Sequence, residues 1–203
     1  LAPYPILEGA LASTSLLTQD DVVVLYGDQK IISEGIANAT LGPAKVEVVG
    51  TTETISMDES PVDAVRGKQN SSLVVMCKDG SRKADNPLDA VISAGNTGAF
   101  VAGSQMYLRR LAGVHRPGIA AAVPTFAGTV AFIDVGANIE PKPTHLAQYG
   151  VMGKVYAKQI LGIENPRVAL MNVGGEEQKG TSTLKLVRDM LRAAPDINFV
   201  GYI

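Results

Sequence analysis

Short apolar runs alternate with longer stretches in which apolar residues recur every three to four positions. Val22–Tyr26 is a β-branched run and predicts a strand, followed by Gly27-Asp28 and a helical stretch to Ala39. Lys45–Val49 predicts a second strand, closed by Gly50. Asn70–Arg82 predicts a helix, with Asn70, Ser71 or Ser72 as its N-cap. Asp89–Ile92 predicts a strand that runs into Ser93–Gly98, and a helix follows to about Leu111. Ile119–Val123 and Thr129–Ile133 predict two strands. The chain between them is too short for a helical crossover, so they predict a hairpin. Thr144–Leu161 predicts a long helix with Leu146, Tyr149, Met152, Tyr156 and Ile160 on one face. Arg167–Val173, Thr183–Ala194 and Ile197–Tyr202 complete the pattern as strand, amphipathic helix and strand.

Strand–helix alternation with short connections implies βαβ units, hence an α/β fold with a mainly parallel sheet that the hairpin makes mixed. No internal repeat, charge block or linker-like stretch divides the 203 residues, so one α/β domain spanning 1–203 is expected. Composition agrees: apolar residues are 46%, charged residues 19% and mean hydropathy +0.14, as for a sheet covered on both faces. A net charge of −2 excludes the strong positive field that a nucleic-acid partner requires. Leu1 is not an initiator Met and Ile203 ends on an apolar strand, so the chain is expected to be a fragment of a longer protein.

The single cysteine, Cys77, rules out an internal disulfide and suggests a reducing compartment, the cytoplasm. It lies among Leu73, Val74, Val75 and Met76 and reads as a buried structural thiol. With one Cys and two His, no Cys/His metal cluster can be assembled, and no metal or other cofactor is expected. His115 reads as a loop residue beside Arg116-Pro117 and His145 as a first-turn helix residue, too far apart in the pattern to pair. The N-terminus lacks the basic region of a signal peptide. The uncharged stretches Val91–Leu108 and Pro117–Ile133 are broken by glycines, so neither predicts a membrane span.

Ligands of open α/β sheets bind beyond the carboxyl ends of the strands. Three glycine-rich loops are predicted there. Ser93–Gly98 puts small residues and a helix start after a strand, so backbone N–H groups, the hydroxyls of Ser93 and Thr97 and the Asn96 amide can meet an anion. The plainer reading is a tight turn with an N-cap. Asp134-Val135-Gly136-Ala137-Asn138 pairs an Asp with an Asn four residues on, either to position a nucleophile or to bond its own backbone. Asn172–Gly180 carries Glu176, Glu177 and Lys179 after Gly174-Gly175, so an ammonium could clamp phosphate or an oxyanion, or the loop is simply solvated. Gly150 and Gly153 permit close packing of the long helix, against the sheet or another subunit.

Taken in order, Val91–Ala99, Asp134–Asn138 and Asn172–Gly180 resemble the signature loops of the PlsX family, the acyl-carrier-protein-dependent phosphate acyltransferases of bacterial phospholipid synthesis. Met57–Pro61, Arg66, Ser71-Ser72, His115-Arg116-Pro117, Met152-Gly153, Asn165–Leu170 and Gly201-Tyr202 extend the resemblance along nearly the whole chain. The family's N-terminal Asp/Met/Gly/Gly/Asp motif and its C-terminal part are absent, and Gly175 stands where an acidic residue is common. The resemblance implies a three-layer α/β/α fold like the isocitrate and isopropylmalate dehydrogenases, a homodimer, and transient membrane contact through a segment absent here. It implies acyl-acyl-carrier-protein and inorganic phosphate as partners and acyl phosphate as product. Lys179, Asn96 and Asp134 are then expected in catalysis. Ser93, Gly95, Thr97, Gly98, Gly136, Asn138, Gly174 and Glu177 are expected to bind phosphate or substrate. The alternatives are a coenzyme A-dependent phosphotransacylase and a non-catalytic fragment that binds the acyl carrier. A nicotinamide dehydrogenase is disfavoured, because no G-x-G-x-x-G fingerprint is present.

Overall fold

The computed structural model describes residues 3–203. The chain divides into two units, Leu1–Arg109 and Arg110–Ile203, each with its own core.

The first unit opens with α1 (Tyr4–Ser13) and a 3-10 turn, Thr14–Leu16. β1 (Val22–Gly27) and β2 (Lys45–Gly50) pair in parallel, from Val22 opposite Lys45 to Gly27 opposite Gly50. The crossover is α2 (Gln29–Ala37), whose start is fixed by the Asp28 carboxylate accepting the N–H groups of Lys30 (2.9 Å) and Ile31 (3.0 Å). This is the βαβ unit that the apolar pattern predicts. A second layer of short helices follows: α3 (Pro61–Gly67), α4 (Ser72–Asp79) and α5 (Thr97–Gly103). They bury Val65, Leu73, Val74, Cys77, Ala99 and Ala102 in one cluster. A π-turn at Ser104–Leu108 adds Met106, Tyr107 and Leu108 to its rim. A Cβ at Gly103 would lie 3.1 Å from Leu73 and 3.2 Å from Cys77 Sγ, so the bare backbone lets α5 lie on α4. Tyr26 donates its hydroxyl to Asp79 at 2.8 Å, tying β1 to the end of α4.

The second unit begins with the hairpin of β3 (Ala120–Thr125) and β4 (Gly128–Ile133), antiparallel as expected, with Ala120 opposite Ile133. Then come α6 (Pro143–Gln159), β5 (Arg167–Leu170), α7 (Ser182–Ala193) and β6 (Asn198–Tyr202). β5 and β6 pair in parallel with an irregularity after Val168, where Gly201 takes φ +101° and Val200 drops out of register. Leu170, Val187, Leu191 and Tyr202 form the core, flanked by Leu146, Leu184, Ile197 and Phe199. The two glycines of α6 serve this packing. A Cβ at Gly150 would lie 2.7 Å from Leu191 and 3.5 Å from Val168, and one at Gly153 would lie 3.3 Å from Ile133.

The α/β class stands, but among the described residues the strands pair as three separate two-stranded sheets rather than in one mixed sheet. Asp89–Ile92 is not a strand: it is an irregular segment with Ile92 88% exposed, because four residues led by an Asp find no ladder partner among the described residues. The helix predicted over 70–82 runs only from Ser72 to Asp79, where Gly80 ends it. Ser71 is its N-cap residue, yet the hydroxyl donates backwards to the Lys68 carbonyl at 2.8 Å. Strand Arg167–Val173 stops at Leu170, and the predicted face of α6 loses Ile160, which is 66% exposed at the helix end. Among the described residues, no helix is long and apolar enough to cross a membrane.

Candidate functional site

In the first unit, Asn96 is the N-cap of α5. Its Oδ1 accepts the Ala99 N–H at 2.9 Å, and its Nδ2 faces the carbonyls of Ser56 (3.0 Å), Met57 (3.3 Å) and Glu59 (3.4 Å). The side chain is buried and both ends are engaged, so Asn96 holds two loops together. This is the side chain expected to act in catalysis. The capped loop remains open on its outer side. Thr97 and Gly98 are exposed, and their N–H groups make no hydrogen bond within the described residues. Ser93 Oγ accepts the Gly95 N–H at 3.2 Å. A Cβ at Gly98 would meet the Pro61 ring at 2.6 Å, so that glycine is also required by the packing of α5 on α3.

The Ser56–Glu59 stretch is drawn into this corner by Asn96, a contact across 37 to 40 residues that no local pattern reveals. Glu59 pairs with Lys68 at 2.7 Å and accepts the Ser56 N–H. These hydrogen bonds hold its carboxyl down to about 2.

In the second unit, the Asp134 carboxylate gathers its own loop. Oδ1 accepts the N–H groups of Ile119 (3.0 Å), Gly136 (3.2 Å) and Ala137 (2.9 Å). Oδ2 accepts the Asn138 N–H at 2.9 Å and Asn138 Nδ2 at 2.8 Å. Partial burial pushes this carboxyl up, but the bonds from Asn138, Ala137, Ile119 and Gly136 together outweigh it and hold the group below its ordinary range. A carboxylate with five donors is a poor proton acceptor for substrate. Asp134 therefore shapes the loop, and the predicted catalytic role does not follow from its geometry. Asn138 Nδ2 also faces the Pro117 carbonyl and the Tyr149 hydroxyl, each at 2.8 Å, and buried Tyr149 fixes this corner to α6. Gly136 takes φ +134°, which a side chain would strain.

The Asn172–Gly180 loop leaves β5 beside the end of β6, with the Asn172 N–H bonded to the Ile203 carbonyl at 2.9 Å. Lys179 is exposed and its Nζ pairs with Glu176 Oε1 at 2.7 Å. A Cβ at Gly174 would lie 2.6 Å from Glu176 and 2.9 Å from Lys179 Nζ, so the ion pair folds over a bare stretch of backbone. Gly180 takes φ +87° against the Asn172 side chain. Glu177, expected to bind substrate, is exposed and its two oxygens bind Arg188 (3.0 Å) and Arg192 (2.7 Å). Among the described residues, no hydrogen bond joins the Asp134 and Lys179 loops.

The two histidines do meet, against the sequence reading. Their ring centroids are 6.2 Å apart, edge to face, because His115 is held to α6 by its N–H bond to Gln148 at 3.0 Å. Partial desolvation, with the charges of Arg116, His115 and Lys142, holds His145 below its ordinary range. An apolar groove of about 270 Å³ between α6 and α7 touches His115, Val151, Met190 and Leu191, and none of the predicted site residues lines it. No group of His, Cys, Asp and Glu among the described residues is arranged to hold a metal ion. Cys77 is buried, as expected, and burial pushes its thiol up.

Comparison with known proteins places these loops in context. The family described as "Fatty acid synthesis protein" matches residues 1–203. A phosphate acyltransferase of Desulfitobacterium hafniense is 42% identical over all of this chain and 58% of its own length. Phosphate acyltransferases of Latilactobacillus sakei (42%, 58% of its length) and Bacillus subtilis (38%, 59%) match along the whole chain as well. The chain thus spans less than two thirds of the relatives it matches.

Proposed function

The chain belongs to the fatty acid synthesis protein family, and from that premise we propose that it carries the phosphate-acyltransferase chemistry named for its relatives. The substrates in this reading are a long-chain acyl thioester of acyl carrier protein and inorganic phosphate. A phosphate oxygen attacks the thioester carbonyl, the C–O bond forms, the C–S bond breaks, and the carrier leaves as a thiol with the proton. Phosphate is already an anionic oxygen nucleophile near neutral pH, so the protein's work is positioning and charge stabilisation.

The observation that carries the reading is the Asn172–Gly180 loop, with Lys179 held at the end of β5 over side-chain-free Gly174. Its ammonium can leave Glu176 for the phosphate or for the oxygen that becomes negative. Within the first unit, Ser93–Gly98 is assigned to anion binding through the N–H groups of Thr97 and Gly98, with Asn96 as the residue that holds the loop open. Asp134 and Asn138 are assigned to positioning, by setting the backbone at Gly136. The α/β character and the resemblance support a three-layer isocitrate dehydrogenase-like arrangement, a two-fold dimer and a site of action in the cytoplasm at the membrane surface.

The test follows phosphate-dependent thioester cleavage, with acyl phosphate trapped by hydroxylamine. Lys179→Ala is expected to lower turnover by ~10²–10³-fold, the scale of losing one such charge. Lys179→Arg recovers part, because a guanidinium fork replaces a compact ammonium imperfectly. Wild-type turnover in Lys179→Ala would remove the residue from the mechanism, and preference for a coenzyme A thioester would redirect the reading to a phosphotransacylase.

A further inference from the structure

We propose that Arg188 and Arg192 of α7 are positioning residues for Lys179, acting through Glu177 as the latch of its loop. The inference rests on the role given to Lys179 above.

The loop between Leu170 and Thr181 has no regular structure and contains three glycines, so something must hold its conformation. Most of its bonds are internal. Asn172 Nδ2 donates to the Gly174 carbonyl, the Lys179 N–H donates to the Glu176 carbonyl, and Lys179 pairs with Glu176. Within the described residues, Glu177 alone of residues 174–180 carries hydrogen bonds to α7. Arg188 Nη1 grips it twice, donating to its backbone carbonyl and to Oε2, both at 3.0 Å. Arg192 Nη2 takes the other oxygen at 2.7 Å. Both the main chain and the side chain two residues before Lys179 are thereby fixed.

The donors are themselves placed. Positions 188 and 192 lie one turn apart on the same face of α7. Arg188 is largely buried, holds Asp189 Oδ1 through Nε (2.8 Å) and Nη2 (2.7 Å), and lies over the Tyr202 ring at 5.9 Å. Tyr202 belongs to the core of the unit. The line therefore runs from a packed tyrosine through a fixed guanidinium to Glu177 and the loop that carries the ammonium. With Nε and Nη2 both on Asp189 Oδ1, the plane of the guanidinium is set and with it the direction in which Nη1 meets Glu177, which a lysine at 188 would not do. Glu177 and Arg192 are more than half exposed, so their pair adds little to global stability, and its effect is local order.

The test avoids Arg188, whose loss would disturb Tyr202, and uses Arg192→Gln and Glu177→Gln. Turnover, the phosphate KM, circular dichroism and amide hydrogen exchange are measured, with Lys179→Ala and the double variant Arg192→Gln/Lys179→Ala alongside. Arg192→Gln and Glu177→Gln are each expected to lower kcat roughly 10-fold, the scale of a small misplacement of a charged group. Exchange should quicken at 176–180 while α7 and the fold signal stay unchanged, and Arg192→Lys should recover part of the loss. In the Lys179→Ala background, Arg192→Gln should change turnover by less than about twofold, because it acts through the ammonium already removed. Unchanged exchange and kcat in both single variants would overturn the latch, as would a full 10-fold loss persisting without Lys179. Wild-type turnover in Lys179→Ala alone would instead overturn the functional reading, and the exchange data would still decide whether Glu177 orders the loop.

Discussion

Replacing Asp134 by Asn keeps the shape of the side chain and removes its charge. The retained carbonyl oxygen can still face the N–H groups of Ile119, Gly136 and Ala137. The new amide nitrogen then faces the Asn138 N–H and Asn138 Nδ2, two donors that now stand at 2.9 and 2.8 Å from a third. Two hydrogen bonds to a charged acceptor are lost, each of ~1.5–3 kcal/mol, and the site is open enough for water to replace part of that. The expected cost is about 2–3 kcal/mol, large for one isosteric change. The pH dependence gives an independent check. The folded carboxyl titrates below its ordinary 3.8, so its contribution is complete above that value and is lost as the pH falls through the lowered one. The stability gap between wild type and Asp134→Asn should be full at neutral pH and shrink in the acid range. Urea unfolding followed by circular dichroism and tyrosine fluorescence, across pH, measures both. Equal midpoints at neutral pH, or a gap that does not change in acid, would refute the account of Asp134 as the loop's organiser.

Two further outcomes test the first unit. Gly98→Ala should destabilise by about 1 kcal/mol in a denaturant titration, because contact with the rigid Pro61 ring outweighs the usual helical gain of alanine; a stabilised variant would show that α3 and α5 separate freely. Cys77 should react with a disulfide reagent only at the rate of opening, since its thiol is buried and pushed up, and should titrate fully in denaturant; rapid reaction of the native protein would contradict the packing of α4 against α5.

Much of the secondary structure is legible in the sequence because it follows from local physics. β-branched Val22–Tyr26, the Asp28 cap and the short span between β3 and β4 state their conformations without help from distant residues. The family loops and the burial of Cys77 among Leu73–Met76 are legible for the same reason: a motif or an apolar run is contiguous. What tertiary structure alone decides is where polar side chains spend their hydrogen bonds. Asn96 looks like a free amide until its partners at Ser56–Glu59 arrive, and Glu177 looks like a ligand until α7 brings Arg188 and Arg192 to it. Asp89–Ile92 shows the converse, since a strand needs a neighbour's ladder and the local pattern cannot supply one. The two histidines meet only because the His115 loop is bonded to Gln148 on α6. Contiguous signals follow from short-range sterics and burial, whereas the state of a carboxylate or an amide depends on groups that only folding brings near.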